Sequence, residues 1–179
     1  MPWSQSSRSA LRRAAAAVVL ICLGTAAGGE EARQITPFTK ECVYHAADTF
    51  ELPRLSLLLV LAQERGTVGK CSPPNKNGTV DCGPGQVNES EIRKLAPLLH
   101  VSEAEAMRRV RDDGCFNILV SAFILKQKLQ AAGGQDLWDA MGRYNSATPS
   151  IKRDYQTELL KQFKRLKEKS QQQAATGKP

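Results

Sequence analysis

From Leu55 to Ala62 the chain carries seven aliphatic residues and a single polar one, Ser56. A helix with so little polar surface must be covered on nearly every side, so this run predicts a core helix against which the other elements pack. Pro53 opens it and Gly66 stops it, each at the helix end that suits it. One carboxylate, Glu64, falls in its last turn. A helix C-terminus is the unfavourable end of the dipole for an anion, and apolar neighbours also disfavour charge, so both effects raise the pKa of this group. A carboxyl group of that kind stays protonated near neutral pH and can donate a proton. The plain alternative is a solvated glutamate at a helix end.

The residues after Glu64 supply its surroundings. Lys70 to Cys82 is broken by Pro73-Pro74 and Asn77-Gly78. Asn-Gly is the strongest short hairpin signal, so Thr79-Val80-Asp81 reads as a returning strand in the one sheet expected. Cys71 and Cys82 flank the turn closely enough to staple its base. The segment Gly83-Pro84-Gly85-Gln86-Val87-Asn88 then leads into the next helix. The arrangement sets one carboxyl group facing a groove walled by a small hairpin, a geometry that glycosidases use.

At 179 residues the chain suits one domain with appendages. Residues 1–27 read as a secretory signal: Arg8, Arg12 and Arg13, then an apolar run from Ala14 to Leu23, then small residues, with cleavage near Ala27. The run is short for a bilayer span; a retained anchor is the alternative. Ile21 before Cys22 is too bulky for a lipidation box. The domain is placed at 28–169 and a disordered Gln/Ala/Lys-rich tail at 170–179. Export, to the periplasm or beyond, leaves Cys42, Cys71, Cys82 and Cys115, which predicts two disulfides with three possible connectivities. Zinc needs paired short Cys spacings, and none exists. Without the signal, 22 basic residues face 18 acidic ones, +4, with much of the excess after Lys152. Such a domain suits an anionic polymer or membrane surface, or simply carries a solvated basic helix face. No basic–aromatic interleaving of the nucleic-acid kind occurs.

The remaining elements read as helices. Thr36-Pro37 opens one that runs to about Phe50 with Val43, Ala46, Ala47 and Phe50 on its apolar face. Asn88…Glu91 and Ser102…Glu105 are capping boxes. Cys115 begins a helix whose buried side carries Phe116, Leu119, Ala122 and Phe123, closed by Gly133-Gly134. Asp136 caps a helix ending at Tyr144-Asn145, and Thr148-Pro149 opens a last, strongly charged one.

Together, the helix-ending Glu64, the hairpin loop, Gly83-x-x-Gln86-x-Asn88, Cys115-x-Asn117-Ile118 and the late Tyr144-Asn145 resemble the soluble lytic transglycosylases of the lysozyme superfamily. The likeness is greatest to the small specialised ones of bacterial secretion, conjugation and pilus systems, and it covers about residues 36–160. The resemblance implies a mainly α, lysozyme-like α+β domain with one small β-hairpin and two disulfides. It makes Glu64 the catalytic acid/base. It makes Gly83, Gly85, Gln86, Asn88, Tyr144 and Asn145 the substrate-binding residues, with the Gly83–Asn88 segment lining the sugar groove and Tyr144 approaching the carboxyl. It implies that Cys42 pairs with Cys115, which leaves Cys71 with Cys82. Two positions depart from the family pattern. Arg65 stands where Ser or Gly is usual, and Gly85 stands where Met is usual. An Arg beside the acid would lower its pKa or meet a substrate carboxylate; Gly85 removes an apolar contact.

The implied reaction cleaves the β-1,4 bond between N-acetylmuramic acid and N-acetylglucosamine in peptidoglycan and leaves 1,6-anhydro ends. It needs one carboxyl group, no metal and no cofactor. The expected partners are glycan strands and components of a secretion or pilus machine, with the protein itself monomeric. A hydrolytic lysozyme, or a non-catalytic wall-binding module of such a machine, are the competing readings. Asp81 is a candidate second carboxylate or a plain turn-edge residue. His45 and His100 lack a Ser or free Cys partner in a helical context, and Trp138 suits core packing better than sugar stacking. The two sequons, at Asn77 and Asn88, are incidental if the source is bacterial.

Overall fold

The computed structural model describes residues 34–176, so the expected signal segment and Cys22 lie outside the described residues. The elements are α1 (Lys40–Thr49), α2 (Arg54–Glu64), β1 (Asp81–Cys82), β2 (Val87–Asn88), α3 (Glu89–Leu99), α4 (Glu103–Asp112), α5 (Gly114–Ala131), α6 (Leu137–Asn145) and α7 (Pro149–Thr176). The protein is thus mainly helical, with one antiparallel two-stranded hairpin and the disulfides Cys42–Cys115 and Cys71–Cys82. In the chain-entropy picture their loops, 73 and 11 residues apart in sequence, contribute roughly 4 and 3 kcal/mol.

The helix at the centre is α5, not α2. It touches α1, α2, α4 and α6, and every residue from Phe116 to Leu125 is buried. The sequence predicts a one-sided apolar face there because Asn117 and Ser121 interrupt the pattern. Both are fully buried, and their polar atoms are satisfied inside the fold. α2 buries Ser56, Leu57, Leu59 and Val60, touching α1 and α7 as well as this hub, and leaves Leu55 exposed.

The expected cap residues cap their helices: Asn88 accepts from the Ser90 amide, Ser102 from Glu105 and Asp136 from Asp139. Among the described residues, the reciprocal halves of the two capping boxes do not form; Glu91 pairs with Lys94 and Lys128, and Glu105 with Arg108 and Arg109. The first helix starts later than expected. Thr39 caps it, while Thr36 makes a parallel bridge to Asp113 that straps the chain's entry onto the α4–α5 junction. The hairpin is also displaced by one turn. Asp81 pairs with Asn88 and Cys82 with Val87 across the Gly83–Gln86 turn. The Asn77-Gly78 loop is irregular, closed by the Cys71–Cys82 bridge. Pro73-Pro74 supply no amide hydrogens for a ladder on that side. At the other end α7 runs through Thr176, past the tail boundary set at Ser170. Gln and Ala are good helix formers, and extending a helix already nucleated costs little.

Candidate functional site

Glu64 is the last residue of α2. Arg65 comes next, in the left-handed region at φ 52°, and ends the helix. The Gly66 amide donates to Pro84 O at 3.2 Å, and a Cβ on Gly66 would sit 1.9 Å from Gly83 O. The end of the core helix is therefore pressed directly onto the hairpin turn.

That turn is held from below by Asn117. Its Oδ1 accepts from the Gly85 amide at 2.8 Å, and its Nδ2 donates to Cys82 O and Val110 O, both at 2.9 Å. Gly83 has φ 70° and a Cβ there would meet Asn117 Nδ2 at 2.2 Å, so both conformation and space require glycine. Gln86 lies at φ 47° with its Nε2 donating to Gly83 O at 3.0 Å. Tyr144, from the end of α6, donates to Gly85 O at 2.8 Å. Ser121 fills the place of any side chain at position 85: a Cβ on Gly85 would lie 1.9 Å from its Oγ. Gly85 is thus matched to this chain's own α5.

A groove of about 680 Å³ opens above the turn. Glu64, Gln86 and Asn88 line it together with Tyr144, Asn145 and Asp81. Gly83 and Gly85 do not; they lie buried beneath it and shape its floor. Arg65 is exposed and stands outside this lining. Asp81 belongs to the hairpin wall, where its two carboxylate oxygens accept from Asn75 Nδ2 at 2.9 Å and Asn88 Nδ2 at 2.7 Å. On the opposite wall Lys128 pairs with Glu91 at 3.5 Å.

The sequence reading missed Tyr155. This buried residue of α7 donates to Glu64 Oε1 at 2.5 Å. Its helix is strongly charged, yet Tyr155, Leu159, Gln162 and Leu166 recur at i, i+4, i+7 and i+11 and form the inward stripe. That spacing was the available signal. Burial pushes Glu64 up to about 7, the Tyr155 bond acts against the shift, and the Asp81 charge adds to it. Burial, followed by the charge of Glu64, holds the Tyr144 hydroxyl far above its ordinary range, and the same two causes in the same order raise that of Tyr155. Both tyrosines therefore stay neutral donors. His45 and His100 are exposed and outside the groove. Trp138 is exposed rather than in the core.

Chemically, the arrangement holds one carboxyl group that is protonated and deprotonated with comparable ease near neutrality, inside a groove lined largely by polar side chains. Among the described residues, no group of His, Cys, Asp and Glu is placed to hold a metal ion. No helix among them is long and apolar enough to cross a membrane. The two disulfides are consistent with a location outside the cytoplasm.

No protein-family model matches the sequence. Distant similarity does connect it to curated proteins. The invasion protein IagB of Salmonella typhi is 25% identical over 134 residues, 73% of this chain and 79% of that protein. IagB of Salmonella typhimurium strain SL1344 is 24% identical over 131 residues, covering 71% and 78%. The chain is a distant relative of these invasion proteins over most of its length.

Proposed function

We propose that the protein is a peptidoglycan lytic transglycosylase. Glu64 protonates the glycosidic oxygen of the N-acetylmuramic acid–N-acetylglucosamine bond as that bond to C1 breaks. The 6-hydroxyl of the same muramic acid then forms the new bond to C1, and its proton passes to the Glu64 carboxylate. The donor is restored and a 1,6-anhydro end is left. The observation that carries this reading is a single groove-lining carboxyl group raised to about 7, suited to act first as acid and then as base. Gln86 and Asn145 offer amide groups to the sugars, Asn88 donates both amide hydrogens to Thr79 and Asp81 and so holds the groove wall, and Tyr155 orients the carboxyl. Opening the wall locally for a secretion, conjugation or pilus apparatus fits the distant similarity to proteins named for invasion.

Asp81 in the same groove favours a second reading, a hydrolytic lysozyme with two carboxylates. Mass spectrometry of muropeptides released from sacculi separates the two. The proposal expects anhydro ends, and a hydrolase gives reducing ends. Glu64→Gln should lose on the order of 10²–10⁴ in rate with its circular dichroism unchanged. Release of no products by the wild type from several peptidoglycans would leave a non-catalytic wall-binding module. Asp81→Asn sharpens the choice. A positioning role for Asp81 leaves turnover and anhydro ends in place with a raised KM, whereas a second catalytic carboxylate gives a collapse of kcat.

A further inference from the structure

The face of α7 that points away from the groove carries an exposed, mixed apolar and basic stripe. Arg153, Gln156, Leu160, Phe163, Lys164 and Lys167 fall on it at helical spacing. Leu160 is 50% exposed and Phe163 40%. Trp138, 38% exposed, lies alongside, where its backbone carbonyl accepts from Gln156 Nε2 at 2.9 Å. No acidic residue falls within the stripe, and its three cations enter none of the described ion pairs, unlike Lys161 on the flank, which pairs with Glu158. From Lys167 to Ala175 every side chain is exposed, so this end of the helix packs on nothing in the core. Isolated helices that short are marginal in water.

We propose that this stripe docks the protein on an anionic lipid bilayer. A convex line of long, solvated cations around Leu160, Phe163 and Trp138 is the pattern of a helix that lies in a membrane interface. The aromatic rings suit the headgroup level. The charges point to a negative surface, and neither described groove is lined by residues of the stripe, which favours a diffuse planar partner over a shaped one. The orientation has a use. Tyr155 reaches Glu64 from the same helix, and Leu160, five residues on, sits about 140° round the axis at roughly 100° per residue. A bilayer under Leu160 leaves the groove turned outward.

The test uses the full chain with vesicles of phosphatidylcholine alone or mixed with phosphatidylglycerol. Amine acetylation at Lys164 and Lys167 is read by mass spectrometry, with Lys76 in the groove-side loop as control. Because the readout is local, binding through another part of the chain does not imitate it. The expected result is protection of Lys164 and Lys167, not Lys76, by the anionic vesicles only, reversed by salt. In flotation, Lys164→Gln with Lys167→Gln should lower partitioning on the order of 30-fold, from about a factor of five per lysine. Equal labelling with and without anionic vesicles overturns the proposal. So does equal protection by phosphatidylcholine. Protection by soluble polyglutamate but not by vesicles also overturns it and assigns the stripe to an acidic protein.

Discussion

Tyr155 and Glu64 lie 91 positions apart in sequence and share a 2.5 Å hydrogen bond, the phenol donating. The last helix thereby becomes part of the site. Removing this bond with Tyr155→Phe takes away the contact that opposes the burial-driven rise of the Glu64 pKa. The alkaline limb of the activity profile should move up by roughly one pH unit, and kcat should fall about tenfold as the carboxyl loses its orientation. A pH series of muropeptide release checks both. A fall in rate with no displacement of the limb would confine Tyr155 to packing.

Glu64 also links stability to pH. Its folded pKa, about 7, lies above the ordinary 4.5. Its contribution is therefore fully present below 4.5 and is lost as pH rises through 7. Glu64→Gln, which cannot ionise, should match the wild type near pH 4 and be more stable above pH 7, by about 3 kcal/mol at most. Urea unfolding of both proteins across that range measures the difference; parallel curves would mean that the carboxyl is not buried at a cost.

Asn117→Ala leaves the Gly85 amide, Cys82 O and Val110 O without the partner they have now. Each buried orphan costs about 1–3 kcal/mol, so a loss of at least about 3 kcal/mol is expected in chemical denaturation. Activity should fall more than the folded fraction does, because the turn that carries Gln86 loosens.

Gly85→Ala drives a methyl group into Ser121 Oγ. Overpacking of this kind costs about 1–3 kcal/mol. Ser121→Gly removes the obstructing atom, so the double variant should recover part of the melting temperature lost by Gly85→Ala. Failure of the second change to help would place the strain elsewhere in the turn.

Local signals carried much of the fold. The caps at Asn88, Ser102 and Asp136 were readable because a short polar side chain before an apolar run has one good use. Asn77-Gly78 misled because the dipeptide fixes a turn but not a ladder, and Pro73-Pro74 withhold the donors that a ladder needs. The rank of α5 over α2 was not legible. Asn117 and Ser121 look like a polar edge until their long-range partners are known. Tyr155 was hidden for the same reason: nothing near it in sequence announces a glutamate on another helix. Glu64, Gln86, Asn88, Tyr144 and Asn145 do meet at one groove, while Gly83 and Gly85 turned out to support it from beneath.

Residues 72–81 leave and re-enter the fold at a single covalent junction, Cys71–Cys82. They also bring Asn75 and Asp81 to the groove wall. The clasp, Val80 against the core, and the bonds of Thr79, Val80 and Asp81 to Asn88 and Glu89 anchor the segment, so its outer part, residues 73–78, is a cassette whose length and sequence can change while those anchors stay. Divergence among proteins of this shape, or their redesign, has a place to alter what is gripped without renegotiating the helices that hold Glu64.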